Sequence, residues 1–182
     1  MYEKRKMNEL NENAADVPGA GAYGVDGEKR AEEAYQALKK FRLLFRAVQQ
    51  HSQWVETRCG VSSAQLWALW QLVETPGLRV SDLAQAMSLH QSTTSNLLDK
   101  LQRAGLIRRD RSGPDQRVVR LYATEQGQAV LNRAPKPARG VLQNALFNLP
   151  AEVLHSLNHD LGILVAEINI RDERAEMEPL TS

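Results

Sequence analysis

Residues 81–109 decide the fold of this chain and read SDLAQAMSLHQSTTSNLLDKLQRAGLIRR. The pattern predicts a short helix capped by Ser81, followed by a tight turn over residues 88–90. The residues of this helix expected to face inward are Leu83, Ala84 and Met87. A longer helix is then expected from Gln91 to Ala104, with Gly105 ending it. Two helices joined by a short turn are typical of a helix–turn–helix.

Short polar side chains fill the outward face of the second helix, where an ordinary amphipathic helix would carry glutamate and lysine. They are Gln91, Ser92, Thr93, Ser95 and Asn96. Glutamine and asparagine can form paired hydrogen bonds with adenine, and serine or threonine can contact bases or phosphates. Lys100 follows a turn later, where a phosphate contact is expected. We therefore predict that this helix enters the major groove of double-stranded DNA.

After Gly105 the apolar period changes from helical to alternating, which predicts a β-hairpin around Gly113-Pro114-Asp115. The net charge is only +1, yet residues 100–120 hold seven basic side chains and two acidic ones. An arginine at the hairpin tip would suit the negative potential of a narrow minor groove. Asp115 is expected to pair with and orient Arg111 or Arg117. The predicted DNA contacts of this wing are Arg109, Arg111, Asp115 and Arg117.

Helical segments flank this core and carry apolar stripes. The stripe residues expected at an interface are Leu38, Phe41, Leu154, Leu157, Leu161 and Leu164. Their heptad-like spacing favours pairing with a second copy, with an intrachain helical hairpin as the alternative. Pro135 and Pro137 are expected to interrupt the helix after the wing.

The predicted fold is therefore mainly α with a small β-hairpin wing: a winged helix–turn–helix core flanked by N- and C-terminal dimerisation helices. The expected divisions are a flexible tail (1–27), a dimerisation helix (28–60), the DNA-binding domain (61–127), C-terminal dimerisation helices (128–174) and a second tail (175–182).

The sequence resembles the MarR family of bacterial transcription regulators over about residues 32–170. The matching segments are Leu83-Ala84 with Ser92-Thr93 and Ser95, Leu101 to Ile107, and Asp115-x-Arg117 followed by Thr124-x-x-Gly127. The resemblance implies a homodimer that binds a pseudo-palindromic operator and represses transcription until a small ligand binds. It also implies a bacterial, cytoplasmic protein associated with the nucleoid.

An aromatic and cationic cleft is expected at the junction of the first two helices, and the resemblance puts the family's ligand cleft in this general region. The candidate residues are His51, Trp54, Arg58 and Trp67. Such a cleft suits a phenolic or benzoate-type acid, with Arg58 or His51 meeting the carboxylate. The alternative is that both tryptophans are simply core. The leading hypothesis is a repressor of an aromatic-acid catabolic operon.

Other functions have weaker support. Cys59, the only cysteine, excludes an internal disulfide and leaves a redox-responsive repressor as an alternative. The string Gly19-x-Gly21-x-x-Gly24 follows a polar tail, so a linker is favoured over a nucleotide site. His155 and His159 have the spacing of a metal pair but no third ligand, so no metal or cofactor is predicted.

Two alternatives belong to other classes of protein: a small cytosolic enzyme and a helical protein-interaction module. The sequence offers no nucleophile, base and orienting group in a recognisable constellation, so an enzyme is not expected. No apolar run approaches the ~20 residues of a membrane span. The opening MYEKRKMNEL has no apolar core of a signal peptide, which favours the cytoplasm.

Overall fold

The computed structural model of the chain describes residues 25–111, 118–168 and 176–180. The elements in chain order are α1 (Val25–Cys59), α2 (Ser63–Glu74), α3 (Val80–Met87), α4 (Gln91–Arg103), β1 (Ile107–Asp110), β2 (Arg120–Ala123), α5 (Glu125–Arg133), α6 (Val141–Phe147) and α7 (Ala151–Ile168). The chain divides into two compact units, Met1–Leu43 and Leu44–Ser182. The mainly helical fold with one hairpin confirms the predicted class.

The first unit contributes the beginning of α1, which starts at Val25, three residues before the predicted start at Glu28. Its apolar side chains are largely uncovered: Tyr35, Leu38 and Leu43 are exposed. Phe41 is half-buried. Residues 25–27 of the predicted tail (1–27) belong to α1, and residues 1–24, which include the glycine string, lie outside the described residues.

Local sequence signals fix the end of α1 and the start of α2. Gly60 follows α1 with a φ of 70°, a left-handed conformation that suits glycine. The hydroxyl of Ser62 accepts the Gln65 backbone N–H at 3.3 Å, and the Gln65 side chain accepts the Ser62 N–H at 2.8 Å. This reciprocal capping box fixes the start of α2.

The prediction that Ser81 caps α3 is wrong. The cap residue is Arg79, whose backbone N–H is accepted by the Asp82 carboxylate at 3.2 Å. Ser81 lies inside the first turn, and its hydroxyl donates to Asp82 at 3.2 Å. Asp82, three residues after the cap, therefore supplies the acceptor that sequence reasoning assigned to the serine.

The wing is an antiparallel hairpin in which Ile107 pairs with Ala123 and Asp110 with Arg120. β2 has a second backbone partner, the connection between α2 and α3. Leu121 accepts the Gly77 N–H at 2.9 Å and donates its own N–H to the Leu78 carbonyl at 3.0 Å. The wing is thus bonded along both edges of β2.

The core lies in the second unit around α2, which packs against α3, α4, α5 and β2. Its largest fully buried side chains include Leu66, Leu69, Leu72, Leu83, Met87, Leu98, Leu101 and Leu121. Each buried leucine contributes about 1.5–3 kcal/mol relative to an exposed one. The predicted inward face of α3 is therefore confirmed.

A close crossing joins the end of α4, the start of the wing and α5. The Thr124 hydroxyl accepts the Gly127 N–H at 3.1 Å and donates to the Gly105 carbonyl at 2.7 Å. The Thr124 N–H in turn donates to the Leu106 carbonyl at 3.0 Å. A methyl group on Gly127 would collide with that same Leu106 oxygen. This crossing gives Thr124-x-x-Gly127 a structural reason.

The helical region after the wing is broken, as Pro135 and Pro137 predict. α5 ends at Arg133, and regular helix resumes only at Val141. α7 then presents apolar residues to the outside: Ile168 is 61% exposed and Leu164 is 39% exposed. Its predicted interface residues Leu154, Leu157 and Leu161 are half-buried. None of the helices within the described ranges is long and apolar enough to cross a membrane.

Candidate nucleic-acid interface

The outer face of α4 carries the polar residues that the sequence singles out. Gln91, Ser92, Asn96 and Lys100 are exposed, and Thr93 and Ser95 are half-buried. Thr94 differs from these neighbours because it is fully buried, and its hydroxyl donates to the His90 carbonyl at 3.1 Å. The structure therefore separates a buried threonine, which secures the helix, from a face that is open to a ligand.

The wing base is electrostatically connected to α4. The Arg109 guanidinium lies 2.6 Å from the Asp99 carboxylate of α4. Arg108 pairs with Asp110 at 3.2 Å, and its guanidinium stacks 4.3 Å from the centre of the Tyr122 ring. Surface pairs of this kind contribute at most about 1 kcal/mol, so their effect is mainly one of orientation. Arg109 thus orients the hairpin, besides its predicted contact with DNA.

Of the remaining predicted wing contacts, only Arg111 lies within the described residues. Arg111 is exposed at the end of β1. Asp115 and Arg117 lie outside the described residues, as does the predicted turn at Gly113-Pro114. Their contact with DNA and the proposed pairing of Asp115 with an arginine stay predictions.

Met177 and Glu178 contact the start of α4. The His90 backbone N–H donates to the Met177 carbonyl at 3.1 Å. The Thr93 hydroxyl donates to the Glu178 carboxylate at 2.9 Å. Sequence reasoning treated residues 175–182 as a tail, because nothing in their composition indicates a docking site.

A cavity of about 610 Å³ lies between the end of α1, α2 and the segment after the proline break. Among its lining residues are His51, Trp67, Arg139 and Phe147. Two predicted ligand residues are placed elsewhere: Trp54 is 51% exposed and Arg58 is also exposed, and neither lines this cavity.

Arg139 is the cation of this cavity, and sequence reasoning missed it. Its guanidinium lies 4.9 Å from the centre of the Phe147 ring and 5.6 Å from that of Trp70. Stacking between two rings holds the guanidinium plane while leaving its N–H groups free to bind an anion. The only sequence signal is its position two residues after Pro137.

His51 and Trp67 bring unused polar atoms to the cavity. His51 Nε2 and Trp67 Nε1 are buried and have no hydrogen-bond partner. Burial lowers the pKa of His51, and a hydrogen bond to the Pro137 backbone partly opposes that shift. A lowered pKa keeps the imidazole neutral at neutral pH. Buried polar atoms without partners are costly, which makes them candidates for ligand contacts.

The structure gives no support to Cys59 as a redox site or to His155 and His159 as a metal pair. Cys59 is only 5% exposed and packs in the core, where peroxide has poor access to its sulfur. His155 and His159 are both exposed on α7. Across residues 25–111, 118–168 and 176–180, no group of three or more metal-ligating side chains occurs.

A helix–turn–helix followed by an antiparallel wing, with a polar outer face on its second helix, defines a winged-helix DNA-binding protein. The sequence profile of the MarR family matches residues 61–119. Over this segment the chain is similar to the MarR family of transcriptional regulators. Regulators of this family are in general DNA-binding proteins rather than enzymes.

The chain is similar to named relatives in sequence and to a solved structure in fold. The transcriptional repressor MdtR of Bacillus subtilis is 26% identical over 135 residues, covering 74% of this chain and 86% of the relative. The homoprotocatechuate degradative operon repressor of Escherichia coli is 29% identical over 110 residues, covering 60% of this chain and 74% of the relative. A MarR family transcription regulator of known structure has a TM-score of 0.52 at 24% identity, covering 78% of this chain and 93% of its own.

Proposed function

We propose that this chain is a homodimeric repressor without enzyme activity, released from a pseudo-palindromic operator by a small aromatic carboxylate or phenol. The observation that carries the DNA-binding part is the outer face of α4. Gln91, Ser92 and Asn96 are exposed on a helix whose opposite side is fully buried. Short amide and hydroxyl side chains on a rigidly held helix suit the reading of base edges.

Dimerisation is supported by the apolar residues that each unit leaves uncovered. α7 exposes Leu164 and Ile168, and the first unit exposes Tyr35 and Leu38. Contiguous exposed apolar side chains on helices are typical of protein interfaces. A second copy is the occupant we infer, because a two-fold dimer would present two α4 helices to two half-sites.

Base reading and phosphate binding predict different outcomes for two substitutions on α4. Asn96→Ala should lower the preference for the operator over scrambled DNA by about 1–3 kcal/mol, or roughly 5- to 150-fold. Lys100→Ala should weaken binding to both DNAs similarly and reduce the salt dependence. Fluorescence anisotropy with DNA from upstream of the gene, at several salt concentrations, measures both effects.

Matched controls for these substitutions lie away from α4. Asn132 and Lys136 are exposed residues of the same types beyond the wing. Their alanine variants should bind like the unaltered protein. Equal affinity of the unaltered protein for operator and scrambled DNA would contradict sequence-specific repression.

The effector part of the proposal rests on the cavity. An aromatic ring fits against Trp67 and Phe147, and a carboxylate can accept hydrogen bonds from Arg139. A neutral imidazole that donates to the Pro137 carbonyl leaves Nε2 as an acceptor for a phenolic hydroxyl. The name of the homoprotocatechuate operon repressor supports an aromatic acid as the class of effector.

Arg139→Ala should weaken the response to an aromatic acid while leaving operator affinity without effector unchanged. A hydrogen-bonded charge contributes about 1.5–3 kcal/mol, so the half-maximal concentration should rise roughly 10- to 150-fold. The measurement is release of operator DNA by 4-hydroxybenzoate and homoprotocatechuate, with acetate as the non-aromatic comparison. Arg133→Ala, which removes an exposed arginine from α5, is the control. An unaltered response of the Arg139 variant would exclude this cavity as the effector site.

A further inference from the structure

We propose that residues 176–180, here called the C-terminal strap, act as an intramolecular competitor of DNA at the start of α4. The strap reads Glu-Met-Glu-Pro-Leu, with two carboxylates in five residues. This inference rests on the proposed function, because it concerns the same face of α4. It adds a regulatory element that lies within the chain itself.

The contacts of the strap place its backbone and a carboxylate at the start of α4. The Met177 carbonyl accepts the N–H of His90, the cap residue of α4, at 3.1 Å. The Glu178 carboxylate accepts the Thr93 hydroxyl at 2.9 Å. Backbone and side chain of consecutive strap residues therefore engage the first turn of the helix together.

The strap makes these contacts with groups that a DNA phosphate or base would also use. A helix N-terminus favours an anion, and Glu178 provides one there. The Thr93 hydroxyl has a single proton, so donation to Glu178 precludes donation to DNA. Glu178 and Pro179 also line a small cavity together with Asn96 and Lys100. DNA can use this end of α4 fully only after the strap has left.

The negative charge of the strap opposes DNA binding more strongly than steric blocking of α4 alone would. A carboxylate beside the predicted reading face repels the phosphate backbone, which the exposed Lys100 would otherwise attract. If the strap is closed most of the time, the apparent dissociation constant rises by the inverse of the open fraction. Weakening the strap should therefore tighten DNA binding, the opposite of the effect of altering a DNA contact.

The test compares Glu178→Gln with Glu152→Gln in the full chain. Glu152 is an exposed residue of α7, so its variant carries the same change in net charge without touching α4. Anisotropy titrations with DNA from upstream of the gene should show that the Glu178 variant binds on the order of five- to tenfold more tightly. The Glu152 variant should change less than about twofold. Equal affinities of the two variants would overturn the proposal.

A second measurement reports on the strap directly. A glutamate-specific protease cleaves after Glu176, and the product is identified by its mass. Cleavage should be faster when the protein is saturated with operator DNA, because DNA displaces the strap. Unchanged or slower cleavage would overturn the strap proposal even if the operator binds normally. Failure of the unaltered protein to bind operator would instead contradict the proposed function.

Discussion

Replacing Leu164 with glutamate is expected to turn the proposed dimer into a monomer and to abolish tight operator binding. The side chain is 39% exposed on α7, beside the stripe of Leu157 and Leu161. A buried charge at a dimer interface costs several kcal/mol unless it is paired. A monomer binds one half-site and loses the effective concentration of the second, which lowers affinity on the order of a hundredfold.

The control for this substitution lies on the opposite face of the same helix. His159 is exposed about half a turn away from the stripe, so His159→Glu should leave both assembly and operator binding intact. Sedimentation velocity measures the assembly, and anisotropy measures operator affinity. A Leu164→Glu protein that still sediments as a dimer would place the interface elsewhere.

Gly127→Ala is expected to lower the free energy of unfolding by about 2–3 kcal/mol, because it forces atoms into a filled space. The new methyl group would meet the Leu106 carbonyl oxygen, which already accepts the Thr124 N–H. It would also crowd Leu69 of the core, 3.1 Å away. Relief of the clash must separate α5 from the start of the wing, so operator affinity should fall with stability.

Gly162→Ala provides the matched comparison. Gly162 lies in the middle of α7, and a methyl group there meets nothing within 4 Å. Alanine is favoured over glycine in a helix by up to about 1 kcal/mol, so this variant should be equally or more stable. Urea unfolding followed by circular dichroism measures both changes. Equal stability of the two variants would show that the structure around Gly127 accommodates the methyl group without loss of stability.

The helix–turn–helix could be predicted because its signals are local. Ser62 and Thr124 cap helices through their own hydroxyls, and Gly60 and Gly105 end helices with positive φ values. The cap of α3 was misplaced for a related reason. Sequence rules recognise the cap by its side chain, but here the decisive acceptor is Asp82, three residues after a cap of unusual type.

The effector cavity could be predicted only in part, because it depends on tertiary placement. His51 and Trp67 lie in it, as the sequence suggested. Arg58 is near His51 along the chain, yet it is exposed and does not line the cavity. Arg139 follows the proline break and lines the cavity. No periodic pattern in the sequence indicates that this segment folds back against α1 and α2.

The docking of the strap is the feature that the sequence predicts least. Its hydrogen bond between Thr93 and Glu178 joins residues 85 positions apart. A five-residue acidic segment has no periodicity, and its charge suggests a solvated end rather than a docked one. Only the folded arrangement brings its carboxylate to the face that the sequence assigned to DNA.

The two-sided bonding of β2 limits how an effector can act. β2 pairs with β1 on one edge and is bonded through Leu121 to the Gly77-Leu78 connection on the other, while Arg109 links the hairpin base to Asp99 of α4. The hairpin therefore has little freedom to tilt against the helix beside it. In the proposed dimer, each winged helix–turn–helix moves as one rigid body. On the proposed function, an effector would act by changing the distance between the two α4 helices, which must be about 34 Å to match one turn of DNA.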